Sequence, residues 1–244
     1  MRKLALCMAV AFAPWGAPAQ ALVGASEPAA GAAAASAVMV LKQGGVGAGF
    51  CTGVAVSRMA VLTAGHCAHG ARELAINVGG YGKPQLIAVT SSSLHPEFVP
   101  DAARRRVRSV DLAILRLAEP LPASIAPARL DTAGAVRPGE RYTIAGFGLA
   151  REGDARSGGQ LRAGVLEARE PVSKILLWAH DPNRKGFGAC TGDSGGPIFA
   201  ADGTVAAITS WSTGEGKRNC GAITQGALVA PQRGWIERVL SASR

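Results

Sequence analysis

The chain has few aromatic residues, and beyond its first 21 residues it has no long apolar run. Aromatics make up 5% of the 244 residues, against 48% hydrophobic residues and 32 glycines. This composition excludes a disordered chain and provides a core for one domain or for two small lobes that share a cleft. The lack of a long apolar run excludes a later membrane-spanning helix. Internal repeats, low-complexity linkers and long charge blocks are also missing, which argues against repeat architectures and tails.

What the chain does contain is a series of short apolar runs separated by turn residues. Most runs have the length of strands, such as DLAILRL, RYTIAGF and TVAAITSW. They predict an all-β fold. The proline-rich stretch AEPLPASIAPARL divides the runs into two similar groups. Near the end, Trp235, Ile236, Val239 and Leu240 recur at helical spacing and predict a short amphipathic helix.

The first 21 residues have the pattern of a signal peptide. A basic start, MRK, precedes the apolar stretch LALCMAVAFA, and Ala19 and Ala21 fit a small-residue cleavage site. We expect cleavage after Ala21 and a mature protein that is secreted or periplasmic. A lipoprotein cut at Cys7 is disfavoured, because the residue before it, Leu6, is bulky.

Removal of this segment changes the cysteine count and the charge. Four cysteines remain, which in an oxidising compartment predict two disulfides with three possible pairings. Loss of Arg2 and Lys3 leaves 24 basic and 17 acidic side chains, a net charge of +7. A basic protein favours anionic partners. The densest run, Arg104–Arg108, is a candidate contact for an anionic surface or polymer, although such runs are more often solvated loops; no specific nucleic acid is expected.

The stretch CTGDSGGPIF, which begins at Cys190, places Ser194 between glycines and fits G-x-S-x-G. In an α/β-hydrolase the catalytic histidine follows the serine, and no histidine follows Ser194 here. A subtilisin order needs an aspartate before the histidine, and the first aspartate is Asp101. The remaining order is His, Asp, Ser. LTAGHCAHG supplies His66 at a strand end, and VDLAILRL supplies Asp111 at the head of another strand.

Three motifs, TAGHC, DLAIL and GDSGGP, resemble those of the chymotrypsin/trypsin-like serine peptidases, and the resemblance extends from about Leu22 to Leu240. It implies two antiparallel six-stranded β-barrels with a short C-terminal helix. The peptidase domain would span residues 22–244 after a signal peptide at 1–21. Within it, the first barrel would cover about 22–122, the second about 123–232 and the helix about 232–242.

The resemblance also implies roles for the three motif residues. Ser194 would attack the scissile carbonyl, His66 would accept its proton, and Asp111 would orient the imidazole. The backbone N–H groups of Gly192 and Ser194 would bind the developing oxyanion. No cofactor or metal is implied.

Asp193 would turn inward to pair with a freshly cut N-terminus. In the family that terminus has the form I/V-V-G-G, and LVGA, from Leu22 to Ala25, takes its place here. Signal-peptide removal would then create the ammonium group that Asp193 needs, without a separate propeptide. The alternative is a plain mature terminus with no activating role.

The family's disulfides would join Cys51 to Cys67 and Cys190 to Cys220. A zinc site at Cys51, His66, Cys67 and His69 is the competing interpretation, and its spacing matches no common structural zinc pattern. The other histidines, His69, His95 and His180, belong to no motif and are expected at the surface or in loops.

By the same resemblance, the pocket for the residue before the cut has its floor at Gly188 and Ala189. Its walls would be built from Ser210, Trp211, Ser212 and Gly226. A trypsin has an aspartate at the position of Gly188, so we expect no preference for lysine or arginine, but for small to medium apolar or aromatic residues.

These observations predict a secreted, monomeric serine endopeptidase that acts on proteins or peptides through an acyl-enzyme. Two alternatives stay open. One is a catalytically silent cationic binding protein on the same fold, and the other is an esterase that uses the same three residues.

Overall fold

Two antiparallel β-barrels lie side by side with a cleft between them. The computed structural model describes residues 22–24, 26–45, 47–79 and 82–242. The strands, in chain order, are β1 Glu27–Pro28, β2 Ala37–Gly44, β3 Gly47–Ser57, β4 Ala60–Thr63, β5 Ala71–Asn77, β6 Leu86–Leu94, β7 Ala113–Leu117, β8 Arg141–Gly146, β9 Arg162–Ala168, β10 Leu176–His180, β11 Pro197–Phe199, β12 Val205–Thr213 and β13 Ile223–Leu228. The helices are α1 Gly31–Ser36, α2 Gly65–Ala68, α3 Ala102–Arg105 and α4 Arg233–Ser241, with 3-10 turns at Ala155–Ser157 and Ala230–Gln232.

Each barrel closes with six strands, which confirms the expected all-β architecture. The first has the order β2-β3-β4-β7-β6-β5. The second has the order β8-β9-β10-β13-β12-β11, and β11 returns to β8. The short strand β1 pairs with β9 of the second barrel, with Glu27 opposite Ala163. The chain therefore contacts the second barrel before it builds the first.

Alternating side chains fill each barrel, as the period of two in a β-strand requires. In β2, Val38 and Val40 are buried in the first barrel's core, whereas Lys42, the next residue on the same face, is half-buried at the strand's end. A third apolar cluster lies between the barrels and includes Trp235 and Ile236 of α4. The barrels are thus packed as one body with a shared interface.

The expected C-terminal helix is present as α4, and it lies against the first barrel. The Arg116 guanidinium of β7 donates to the Val239 carbonyl. The His95 ring, which follows β6, packs edge-on against Trp235 with ring centroids 4.8 Å apart. His95 is only 6% exposed, so this loop histidine is a packing residue.

The predicted signal peptide, residues 1–21, and Ala25 of the LVGA segment lie outside the described residues. Among the residues that are described, no helix is both long and apolar enough to cross a membrane.

Candidate active site

The cleft between the barrels has a volume of about 1060 Å³ and contains all three residues that the motifs singled out. His66 lies on the short helix α2, which directly follows strand β4. Asp111 directly precedes the apolar residues that lead into β7, and Ser194 lies in the turn before β11. Each residue is therefore held at the end of a buried strand, where the backbone is fixed by the barrel.

The first barrel orients His66 through two hydrogen bonds to one carboxylate. His66 Nδ1 lies 2.7 Å from Asp111 Oδ2, and the His66 backbone N–H donates to Oδ1 at 2.9 Å. Because Nδ1 is engaged by an acceptor, the ring's Nε2 is directed away from Asp111 and is the atom left for proton exchange. Ser210 of the second barrel donates its hydroxyl to Asp111 Oδ2 at 2.5 Å.

Asp111 is 9% exposed, and its burial opposes ionisation. The hydrogen bonds from His66 and Ser210 outweigh that burial and hold the pKa of Asp111 below its ordinary value. An ionised carboxylate at this position stabilises a protonated imidazole. The pair is thus suited to accept and return a proton.

The Ser194 hydroxyl lies in the same cleft, and within the described chain it makes no hydrogen bond. The Cys67 sulfur lies 3.7 Å from His66 Nε2. In unliganded active sites the bond between nucleophile and base is often long and tightens only when substrate binds. The hydroxyl and Nε2 are both free to meet a substrate.

The backbone N–H groups of Gly192 and Ser194 also have no acceptor among the described residues. The carbonyls on the same two residues are occupied, because Thr52 donates its hydroxyl to Gly192 and its N–H to Ser194. Gly192 has a φ of +96°, and a Cβ there would lie 2.3 Å from the Phe50 ring. Only glycine fits this conformation and this space.

Asp193 is fully buried and has no cation partner among the described residues. Its carboxylate accepts the N–H groups of Gly148 at 2.8 Å and Cys190 at 2.9 Å. Burial raises the pKa of Asp193 to about 7, against the lowering effect of these two hydrogen bonds. Leu22 is also fully buried and has a φ of 61°, and its neighbour Val23 pairs with Gly188 of the second barrel.

Both disulfides have the pairing that the resemblance implies. Cys51 and Cys67 are joined at 2.01 Å, and Cys190 and Cys220 at 2.10 Å. Cys51, His66 and Cys67 form a compact group of metal-ligating types. Two sulfurs bonded to each other offer no thiolate, so this group does not have the donors of a zinc site.

Some of the residues expected at the specificity pocket line the cleft and others do not. Ser210, Trp211 and Ser212 of β12 lie along it. Gly226 faces the core instead, because a Cβ there would lie 2.8 Å from the Ile198 side chain.

The residue that faces the predicted pocket floor is Thr224, two positions before Gly226. Thr224 pairs with Ser212 across the β12–β13 ladder and is 1% exposed. Its hydroxyl accepts the Ala189 N–H at 3.0 Å, and the same oxygen would lie 3.2 Å from a Cβ on Gly188. The threonine side chain thus occupies space above Gly188 and Ala189. The sequence would have identified Thr224 only if the register of β13 against β12 had been known.

The basic run lies at the rim of the cleft, with Arg106 and Arg108 among the lining residues. Two of its arginines are engaged by acids: Arg104 pairs with Asp101 at 2.8 Å, and Arg108 pairs with Glu97 at 2.9 Å. The run therefore presents fewer free cations than its sequence indicates. Binding of an anionic surface or polymer there stays a prediction.

The cleft also contains a lysine that no motif singled out. Lys42, at the end of β2, lines the wall formed by the first barrel. It lies in an ordinary strand with no neighbouring signal in the sequence.

A serine beside two free N–H groups and a carboxylate-bound histidine, both in one cleft between two barrels, are typical of a serine peptidase of the two-barrel class. Comparison with known proteins agrees. The Trypsin family model matches residues 22–236. The chain belongs to the trypsin family, and it is a serine endopeptidase.

Two relatives illustrate the similarity. A trypsin of Saccharopolyspora erythraea is 30% identical over 181 residues, which cover 68% of this chain and 76% of the relative. Trypsin 5G1 of Aedes aegypti is 31% identical over 214 residues, which cover 80% of this chain and 77% of the relative.

Solved structures share the fold at lower identity. A mutant of human heparin binding protein (CAP37) superposes with a TM-score of 0.74 at 23% identity, over 91% of this chain and 98% of that one. Neuropsin, a serine protease from mouse brain, superposes with a TM-score of 0.71 at 22% identity, over 88% of this chain and 98% of that one.

Proposed function

We propose that this peptidase cuts through an acyl-enzyme formed on Ser194. The Ser194 oxygen attacks the scissile carbonyl carbon while its proton passes to His66 Nε2, and the carbonyl oxygen becomes an oxyanion held by the Gly192 and Ser194 N–H groups. His66 then gives the proton to the leaving nitrogen as the peptide bond breaks. A water molecule then attacks the acyl-enzyme carbonyl and gives its proton to His66, which returns it to Ser194 as the second product leaves with a new carboxylate.

The arrangement of free and occupied groups supports this proposal most directly. The Asp111 carboxylate holds His66 at two atoms, whereas the Ser194 hydroxyl and the two adjacent N–H groups have no partner within the described chain. Donors that are already in position and unpaired stabilise developing charge without any reorganisation. The same geometry admits an ester as well as an amide, so the esterase alternative is a matter for substrate tests.

We also propose that export and activation are one event. Cleavage after Ala21 would give Leu22 an ammonium group, and Leu22 is already buried next to the second barrel's core. Asp193 is buried with no cation among the described residues, and an uncompensated buried carboxylate is costly. A new ammonium near Asp193 would relieve that cost and hold the Gly192–Ser194 turn, which would suit a secreted or periplasmic enzyme that needs no separate propeptide.

The preferred residue before the cut is proposed to be small and apolar. Thr224 limits the space above Gly188 and Ala189, and neither of these two floor residues carries a carboxylate that could bind a lysine or arginine side chain. Alanine or valine would fit such a shallow site, whereas the aromatic residues that the sequence also left open would not. Removing or adding a methylene-sized contact in an apolar pocket changes rates by about tenfold to two-hundredfold.

Covalent labelling tests the catalytic proposal. A fluorophosphonate probe is expected to label the chain that begins at Leu22 and to leave Ser194→Ala unlabelled. Paired amide and ester substrates with the same side chains then separate the peptidase from an esterase. If the correctly processed protein shows no labelling, the acyl-enzyme proposal fails and the cationic binding protein is favoured.

A peptide panel tests the shallow pocket. The wild-type enzyme is expected to cut after alanine or valine in preference to phenylalanine or lysine. Thr224→Gly should raise kcat/KM for phenylalanine by about tenfold or more, because it opens the space above the pocket floor. Thr224→Val, which keeps the volume and loses the hydroxyl, should retain the small-residue preference. Equal cutting after alanine and phenylalanine by the wild type would overturn the assignment.

A further inference from the structure

The catalytic cleft contains an unpaired lysine on the side away from the predicted specificity pocket. Lys42 is half-buried and lines the wall formed by the first barrel. Within the described chain its ammonium group makes no ion pair and no hydrogen bond. A lysine commonly buries its alkyl stem while its charged end stays in water, so an unpaired ammonium group at a cleft wall is available to a ligand.

The surroundings of Lys42 leave its ammonium accessible from the cleft. Its cross-strand partner is Gly49, where even a Cβ would come within 3.6 Å of Lys42 Cε. The next residue along β3, Ala48, is also small and lines the same wall. A larger residue at Gly49 would cover the lysine, so the site is open because of these two residues.

Among the described residues, no acid forms an ion pair with Lys42. Asp111 is the acid whose charge reaches it, and that carboxylate already accepts from His66 and Ser210. Burial lowers the pKa of Lys42, and the charge on Asp111 acts in the opposite direction. Lys42 also lines a second cavity together with Arg72 and Glu73, and neither of these residues forms an ion pair with it. A substrate carboxylate would therefore not have to displace an existing ion pair of Lys42.

The direction of the bound substrate follows from the proposed mechanism. Residues before the cut would extend along Ser210–Ser212 of β12 as an added strand. The leaving amine must face His66 Nε2, which lies 3.7 Å from the Cys67 sulfur, and Cys67 is bonded to Cys51 on β3. Residues after the cut therefore pass over β3. Lys42 is two positions from Val40, the residue opposite Cys51, a distance of about 7 Å along the strand, or two residues of an extended substrate.

We propose that Lys42 selects substrates with an acidic side chain within the first three residues after the cut. The ammonium group would bind the substrate carboxylate through a charge-assisted hydrogen bond in the cleft. This inference rests on the proposed acyl-enzyme function of the same cleft. It identifies a specificity residue on the leaving-group side, where no motif pointed.

Paired peptides test this proposal. Each pair has alanine before the cut and differs only in glutamate or glutamine at the first, second or third residue after it. The wild type is expected to cut one glutamate peptide with a kcat/KM about tenfold above its glutamine partner, the lower range for a hydrogen bond to a charged group. In Lys42→Met this ratio should fall to about one, and in Lys42→Arg it should persist. Lys83→Met removes an exposed lysine that lines neither cavity, and it should keep the wild-type ratio.

The ratio within a pair is insensitive to how much variant protein is folded, so a loss of stability does not imitate the effect. A wild-type ratio of one at all three positions overturns the proposal, as does a ratio that Lys42→Met leaves unchanged. A ratio that disappears in Arg106→Met but not in Lys42→Met assigns the preference to the basic run instead. If a fluorophosphonate labels Ser194 but the wild type cuts none of the glutamate peptides, the Lys42 proposal is overturned. If no labelling occurs either, the acyl-enzyme proposal itself has failed.

Discussion

The two barrels contribute to the cleft in different ways. The proton-transfer residues of the first barrel are already paired, because both His66 atoms that face Asp111 are bonded to its carboxylate. Groups from the second barrel are unpaired within the described chain: the Ser194 hydroxyl, the Gly192 N–H and the buried Asp193 carboxylate without a cation. The His66–Asp111 pair, which transfers the proton, is therefore complete in the folded chain. The groups around Ser194 still need a substrate and an N-terminal ammonium group as partners.

Breaking the paired half should have the largest effect. In Asp111→Asn the amide would favour the wrong His66 tautomer, and kcat should fall by about ten-thousandfold, as expected when the triad aspartate is lost. Steady-state kinetics with an alanine peptide measures the change. Ser210→Ala, which removes one donor to the same carboxylate and leaves the tautomer, should cost far less. A similar loss in both variants would contradict the tautomer explanation.

The unpaired half should respond to the N-terminus. A chain that begins at Leu22 is expected to be active, whereas one that begins at Gln20, and so keeps two natural residues, should have a kcat/KM lower by about a hundredfold to a thousandfold, the effect of losing an oxyanion donor. N-terminal acetylation of the Leu22 chain removes only the charge and should have the same direction of effect. Equal activity of the two chains would show that Leu22 is a plain terminus.

The smallest expected effect is on the free energy of unfolding, and it also compares the chain that begins at Gln20 with the chain that begins at Leu22. In the Gln20 chain, the raised pKa of Asp193, about 7, means that the folded state keeps a proton that the unfolded state loses near pH 4. The free energy of unfolding should then fall by a few kcal/mol as pH rises from 4 to 7. In the Leu22 chain the ammonium group would keep Asp193 ionised, and this fall should be absent.

Denaturant titrations of both chains at several pH values measure that difference. His95, whose pKa burial lowers, favours the opposite trend over part of this range. It does so equally in both chains and cancels when they are compared. Parallel pH profiles would mean that the Leu22 ammonium does not reach Asp193.

The motifs alone led to the residues that carry chemistry, because catalysis requires particular side chains within short and recognisable stretches. His66, Asp111 and Ser194 were predicted in this way, and the structure brings them into one cleft. Thr224 and Lys42 were missed because neither belongs to a motif. Thr224 faces the pocket floor through the pairing of β12 with β13, and that pairing shifts by one residue between Thr209 and Trp211. A register shift of this kind moves side chains to the other face of the sheet, and no local pattern reveals it.

By itself, the amino-acid sequence determined the strand-rich fold, the order of the three motif residues and the glycines around Ser194, since alternation, residue order and backbone freedom are local properties. Only the tertiary structure decided which groups are paired and which are free. Within the described chain, the unpaired Asp193 carboxylate, the unpaired Lys42 ammonium group and the position of Thr224 above Gly188 all result from how segments far apart in the sequence pack together. Contacts between residues far apart in the chain depend on strand register and packing, which are properties of the folded whole.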